Sequence, residues 1–340
     1  MPDVQPIAWG RPLAGCRILF FCSSFFGYER SIVEALVDLG AEVVFRCDRP
    51  YETPWFKSVL RLLPRVGQAI ADLAHSRWLA TLDQRAFDIV FVLKGEGLSN
   101  GLLADLHRRY PRAEFVLYLW DSLCNVPAVE KNLAVFDRIY SFDREDCARF
   151  PGFCYRALFF ADRYWNPEPR PGTGVFFLGT LNGDRPKVLA GVGPAVQSSG
   201  GILDYWLFVR SGVELRLRWL FDPSLRRLDP SRLLRTSLPA DEVAGRFASS
   251  AAILDIQHPD QTGLTMRTFE VLAAGKKLIT TNPKVREEDF FAPDLICVID
   301  RNAPSIPAGF IDSPTPGIGE GFQRKYAIRG WAVEILCRPV

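Results

Sequence analysis

Residues 17–47 read RILFFCSSFFGYERSIVEALVDLGAEVVFRC, and the fold is decided by their order. RILFFCSSF (17–25) is a continuous apolar run with a small-residue end, the pattern of a strand buried on both faces. Gly27 follows it. YERSIVEALVDLG (28–40) then carries Ile32, Leu36 and Leu39 at helical spacing, with Gly40 as the C-terminal cap. AEVVFRC (41–47) is a second strand. Strand, helix and strand joined this closely open a parallel α/β sheet.

The alternation continues outward from there. WFKSVLRLLPRVGQAIADLAHSRWLATL (55–82) is helical with a break near Pro64. FDIVFVLKG (87–95) and AEFVLYLWDS (113–122) are strands around a helix, LSNGLLADLHRRYP (98–111), and FDRIYSFD (136–143) is a fifth strand. ADRYWNPEPRPGTG (161–174) is rich in proline and glycine, lacks periodicity and reads as a linker. A second unit then opens as the first did: GVFFLGT (174–180) is a strand, and Asp184 with Pro186 marks a helix start. YWLFVRS (205–211), AAILDIQ (251–257), KKLITTN (276–282) and LICVID (295–300) are further strands, with helices at 240–250 and 265–274. Residues 212–239 are basic and leucine-rich and are assigned no element, and 322–336 read as one helix. The expected fold is α/β, with two Rossmann-like domains facing across a cleft. Their expected bounds are 1–165 and 166–321, with a C-terminal helix within 322–340 packing back on the first domain.

A chain of 340 residues suits two such cores. With 48% hydrophobic and 24% charged residues and a net charge of +2, nothing in the overall field asks for nucleic acid. The eight cysteines are scattered without a CxxC pair and read as reduced thiols. His75, His107 and His258 are too dispersed for a histidine-rich metal site. There is no basic-then-apolar signal pattern at the N-terminus and no apolar run of ~18 residues, so the expected location is cytoplasmic.

Open α/β sheets bind ligands beyond the carboxyl ends of their strands, where helix N-termini offer N–H groups. The second unit has two such mouths. One is LNGDRPK (181–187), where Asn182 and Gly183 turn into a helix with Arg185 at its start. The other is HPDQTGLTMRTFE (258–270). There Gly263 lets backbone approach a ligand, Leu264 and Thr265 lead into the helix, and Arg267 adds a cation near a diphosphate. Glu270, one turn further in, is placed to accept ribose hydroxyls. On spacing alone the segment fits a plain β-α-β crossover equally well, with Glu270 a solvated helix residue.

TGLTMRTFEVLAAGKKLITTN (262–282) resembles the donor-site helix of GT-B glycosyltransferases: a glycine turn, a helix with a glutamate, a small-small-Gly exit and a strand ending near Thr-Asn. The chain also resembles bacterial envelope-polysaccharide glycosyltransferases of the CgeB-like or capsule and lipopolysaccharide type. FFGYE (25–29), FVLKGE (91–96), LYLWDS (117–122), FDREDC (142–147) and DIQHPDQTGLTMRTFE (255–270) carry that resemblance. It implies a nucleotide-sugar donor held by the second domain, with Glu270 on the ribose and Gly263, Leu264 and Thr265 at the diphosphate. It implies an acceptor, saccharide or lipid-linked, on the first domain, and neither metal nor cofactor. Many retaining members carry a second glutamate seven residues before the first, where this chain has Thr262, so the resemblance leaves the anomeric outcome open.

Other candidates lie in the first unit. Asp121 ends a strand, either as general base for an acceptor hydroxyl or as the N-cap of the next helix. Glu96, beside Lys94, is either a substrate-contacting carboxylate or a loop ion-pair partner; the GEG there is not a full dinucleotide fingerprint. Glu29 lines the loop that in GT-B proteins borders the acceptor, or pairs with Arg30 at the helix start. His258 precedes the donor turn, as a sugar or phosphate contact or as a structural residue. Trp55, Phe56, Leu60 and Leu63 near Lys57, Arg61 and Arg65 form either a basic amphipathic surface at the inner membrane or a packing helix with a solvated face. Two rival functions share this fold: a sugar-nucleotide 2-epimerase, which wants more acidic or histidine groups around the sugar, and a non-catalytic sugar-nucleotide-binding protein.

Overall fold

The structure, a computed structural model, describes residues 7–51, 53–82, 85–166, 168–209, 211–236, 238–259 and 261–337. They form two compact units, residues 7–158 with 328–337 and Phe159–Ala327.

In the first unit the chain runs β1 (Arg17–Cys22), α1 (Tyr28–Asp38), β2 (Glu42–Cys47), α2 (Pro54–Leu62), α3 (Pro64–Leu79), β3 (Ile89–Leu93), α4 (Asn100–Arg109), β4 (Glu114–Leu119), β5 (Arg138–Ser141), α5 (Arg144–Arg149) and β6 (Phe153–Tyr155). The strands make one sheet in the order β2-β1-β3-β4-β5-β6, every neighbouring pair parallel. All residues of β1 and β3 are buried, which is why their sequences are apolar without alternation. Between β4 and β5 the connection is two 3₁₀ turns, Leu123–Asn125 and Pro127–Val135, in place of a crossover α-helix.

The second unit runs β7 (Val175–Thr180), α6 (Arg185–Ser198), β8 (Leu203–Phe208), α7 (Gly212–Phe221), β9 (Leu233–Leu234), α8 (Ala240–Ser249), β10 (Ala252–Asp255), α9 (Met266–Ala273), β11 (Lys277–Thr280), β12 (Ile296–Val298) and α10 (Glu320–Tyr326). Its parallel sheet is ordered β12-β11-β10-β7-β8-β9. Val188, Leu189, Val192 and Val196 of α6 pack over Leu207, Leu254 and Ile279 to form the core. The strand expected at 205–211 starts and stops earlier, at Leu203 and Phe208, and residues 212–239 hold α7 and β9.

The single helix expected over 322–336 is two helices. Ala327 is extended (φ −64°, ψ 148°) and separates α10 from α11 (Ile328–Leu336). α10 belongs to the second unit and α11 to the first. Trp331 of α11 is fully buried, edge-on to Tyr118 at 4.9 Å between ring centroids. Arg138 donates to Ile335 O at 2.7 Å and Arg329 pairs with Asp38 at 2.5 Å, fixing α11 against β5 and α1. All eight cysteines are free. Among the described residues no helix is long and apolar enough to cross a membrane.

Candidate functional site

The strand order of the second sheet locates a site without reference to any motif. From β7 the chain lays down β8 and β9 on one side, then returns to place β10 against the other edge of β7 and continues to β11 and β12. The order reverses between β7 and β10, and ligands of such sheets bind beyond the carboxyl ends of the strands at that reversal. Asn182 and Arg185 follow β7; His258, Gly263, Leu264, Thr265, Arg267 and Glu270 follow β10. The fold therefore gathers all eight expected nucleotide-sugar contacts at one edge of one sheet.

Arg185 bridges the two strands flanking the reversal, its Nε donating to Ile256 O and its Nη1 to Thr180 O, both at 2.9 Å. Burial holds its pKa below the ordinary arginine value, against the pull of Asp255. The Asn182 side chain accepts the Gly183 N–H at 2.8 Å and shapes the turn, with Gly183 in the left-handed region (φ 52°). Asp255 ends β10, is 5% exposed, and accepts the Thr265 hydroxyl at 2.9 Å. Burial pushes its carboxyl up, while Arg267, the Thr265 hydroxyl, Arg185 and Arg301 pull it back down.

Arg267 donates its Nη1 to Leu178 O, while its buried Nε has no hydrogen-bond partner among the described residues. A buried donor without an acceptor costs stability unless a ligand supplies one. Arg301, past the end of β12, donates to Gln257 O at 2.6 Å and pairs with Asp184 at 3.2 Å. Sequence reasoning missed Arg301; its signal was its place on the same carboxyl edge, just beyond LICVID. Three guanidiniums thus stand at this edge, with Asp184 paired to Arg301 and Asp255 bonded to the Thr265 hydroxyl. Both nearby helices add the positive ends of their dipoles at their N-termini. The hydroxyl of Thr265, the N-cap of α9, goes to Asp255 rather than to first-turn N–H groups, and Asp184, the N-cap of α6, makes no side-chain cap bond. Such an edge suits a diphosphate.

Glu270 is 4% exposed, so it is not a solvated helix residue. Its negative charge adds to burial in holding the Tyr164 phenol above the ordinary tyrosine value, which sets Tyr164 near both Glu270 and Arg267. Leu264 is buried, so this residue offers a ligand backbone rather than side chain. Asn282, also missed, donates to Thr262 O at 3.2 Å and Gly263 O at 3.3 Å and holds the glycine turn from the end of β11. His258 accepts the Gln261 N–H at its carbonyl, which closes the loop before that turn.

In the first sheet the reversal falls between β1 and β3. Glu29 is buried there, its carboxylate accepting the Ser24 hydroxyl and the Phe25 N–H, both at 3.1 Å. It ties down the β1–α1 loop, and its partners are these groups rather than Arg30. Asp121 caps no helix; it pairs with Lys94 at 2.9 Å. Lys94 also faces Glu96 at 3.4 Å, and Glu96 holds Arg49 at 2.6 Å. Burial alone would lower the Lys94 ammonium; Asp121 and Glu96 outweigh it and hold its pKa above the ordinary value. Lys94 has φ +69°, a left-handed conformation that costs a lysine about 1–3 kcal/mol and is characteristic of functional loops. Asp48 is fully buried beneath this chain of charges, accepting the Ser23 hydroxyl at 2.8 Å and the Gly97 N–H at 3.3 Å. A Cβ at Gly97 would lie 2.3 Å from Asp48 O. Gly97→Ala is expected to destabilise this unit by about 1–3 kcal/mol, read as a lower midpoint in urea unfolding followed by fluorescence.

With this geometry in hand, the fold matches solved structures. The catalytic domain of starch synthase IV from Arabidopsis thaliana, bound to ADP and acarbose, superposes with a TM-score of 0.57 at 10% identity, over 84% of this chain and 88% of that one. Anabaena HepE in complex with UDP and glucose gives 0.52 at 12% identity, over 94% of each. The apo lipopolysaccharide outer core galactosyltransferase WaaB gives 0.50 at 14% identity, over 93% of this chain and 97% of that one. At such identities the likeness shows the fold, which is the two-Rossmann GT-B fold of glycosyltransferases. No protein-family model matches the chain, and no curated protein does.

Proposed function

We propose that this protein is a glycosyltransferase that moves a sugar from a nucleoside-diphosphate sugar to a saccharide or lipid-linked acceptor, in the synthesis of cell-envelope polysaccharide. One observation carries the proposal: Arg185, Arg267 and Arg301 are held on backbone carbonyls of Ile256, Leu178 and Gln257, in β7 and just past β10 at the strand-order reversal, with Glu270 buried on the same helix as Arg267. Glu270 accepts the ribose hydroxyls, and the turn at Gly263, Leu264 and Thr265 presents backbone to the diphosphate. As the glycosidic bond breaks, negative charge grows on the leaving diphosphate. The three guanidiniums and the α9 N-terminus are oriented for that charge beforehand, which is the condition for electrostatic catalysis without a divalent cation. Asn182 and His258 border the same edge and contact the sugar or phosphates.

On the first unit, Asp121 is the base, with Glu96 beside it to orient the acceptor. Lys94 holds the Asp121 carboxylate in place at 2.9 Å, and Asp121 takes the acceptor's proton as the new bond forms. Of the three catalytic candidates, Glu29 is committed to the β1–α1 loop by both of its carboxylate bonds. A lipid-linked acceptor at the inner face of the membrane is supported by the surface of α2 and α3, where Trp55, Leu62, Leu63, Val66 and Leu73 are exposed. Phe56 instead points inward, and the side chains of Lys57, Leu60 and Arg61 lie outside the described residues.

The test is a panel of UDP-, GDP-, ADP-, dTDP- and CMP-sugars, each followed for protein stabilisation and for release of free nucleotide. A true donor at about 100 times its Kd is expected to add about 2.7 kcal/mol to stability, with slow hydrolysis to the nucleotide. Stabilisation by none of them would overturn the proposal. Binding without hydrolysis or transfer would favour a non-catalytic sugar-nucleotide-binding protein, and conversion of the bound sugar without release would favour an epimerase.

A further inference from the structure

Helix α7 turns an apolar face to solvent. Val213, Leu217, Leu220 and Phe221 are 68%, 53%, 64% and 80% exposed. At the angular step of an α-helix these four positions fall within an arc of about 100°. Leu215 and Trp219 lie on the opposite side and pack against the core of the second unit. Arg216 borders the exposed arc on one side, and Glu214 and then Arg218 border it on the other.

The surroundings are cationic. Residues 212–236 contain six arginines against three acids. Two of those acids, Asp222 and Asp229, turn their carboxylates onto the N–H groups of Ser224 and Ser231, each at 2.9 Å. Arg216, Arg226, Arg227 and Arg235 are exposed. A ten-residue helix is about 15 Å long and cannot cross a bilayer. An apolar arc with flanking arginines on so short a helix fits the plane of the headgroup boundary, and its positive excess fits anionic lipid.

We propose that α7 is a membrane-docking helix that seats Val213, Leu217, Leu220 and Phe221 in the surface of an anionic bilayer. A second copy of this chain is the poorer occupant, since a two-fold contact would bring the same flanking arginines together. Arg218 donates to Gly183 O at 3.3 Å, so the docking helix also touches the turn that opens α6 at the strand-order reversal. The inference does not rest on glycosyl transfer.

Flotation of the full chain with vesicles tests it, using phosphatidylcholine alone and phosphatidylcholine mixed with phosphatidylglycerol. The wild type is expected to float with the mixed vesicles. The double variant Leu217→Glu/Phe221→Glu should lower the bound fraction about tenfold or more with an unchanged circular dichroism spectrum. Arg216→Glu should weaken binding to the mixed vesicles only. A parallel variant, Leu62→Glu/Leu63→Glu, separates any contribution of α2 and α3. The proposal is overturned if the wild type does not float, or if the α7 variants bind as it does. It is equally overturned if the wild type sediments as a dimer that the α7 double variant dissociates while neither binds vesicles.

Discussion

Glu270→Gln is expected to weaken binding of the donor's nucleoside diphosphate by roughly 10- to 150-fold, the loss of hydrogen bonds to a charged acceptor. The amide keeps the volume of the carboxylate, which matters for a side chain only 4% exposed within α9. It replaces one charged acceptor oxygen with a donor, so the two ribose hydroxyls can no longer each donate to a carboxylate oxygen of its own. Isothermal titration with the nucleotide reads the change in Kd, and a thermal melt without ligand separates it from a loss of fold. Unaltered affinity would remove Glu270 from the site and leave the three arginines to explain any nucleotide binding.

The second large effect is expected at Asp255. Arg185, Arg267 and Arg301 all act on this buried carboxylate. Asp255→Ala leaves their charges without it and leaves the Thr265 hydroxyl without its acceptor. The expected cost is about 1–3 kcal/mol, the usual penalty for leaving a buried hydrogen-bonding partner unsatisfied. For a unit of this size that lowers the unfolding temperature by roughly 2–12 °C. Because a diphosphate supplies the missing negative charge, inorganic pyrophosphate at low ionic strength should raise the midpoint of the variant more than that of the wild type. Equal shifts in both proteins would mean that the three guanidiniums do not face a common anion site. Scanning calorimetry with and without pyrophosphate makes the comparison.

The parts of the molecule legible in sequence were those with local causes. Buried parallel strands such as β1 and β3 announce themselves as unbroken apolar runs, because both faces are covered. The turn before α9 was legible because glycine, the helix start and Glu270 fall within a few residues of one another. Arg301 and Asn282 were not, because they reach the site only through the pairing of β11 and β12 with β10, which no local pattern encodes. α7 hid for a different reason: Val213, Leu215, Leu217 and Trp219 alternate with Glu214, Arg216 and Arg218, which is a strand's period. The helix forms regardless and leaves part of its apolar surface outside the core. Residues 322–336 kept helical spacing across Ala327, and the break there is fixed by the backbone pairing of Phe160 with Tyr326 and Ala327. Lys94 was read only as a neighbour of Glu96. Its place between Glu96 and Asp121 depends on β3 lying beside β4, and its positive φ has no sequence signature.

The most direct test of the central claim is a crystal structure of the protein with the nucleoside diphosphate that stabilises it best. The diphosphate is predicted to lie beyond the carboxyl ends of β7 and β10. Its oxygens should be within hydrogen-bond reach of Arg267 and of at least one of Arg185 and Arg301, with the ribose hydroxyls on Glu270. A nucleotide seated instead at the β1–β3 edge of the first sheet, or one at β7 and β10 that leaves Glu270 and Arg267 untouched, would contradict it.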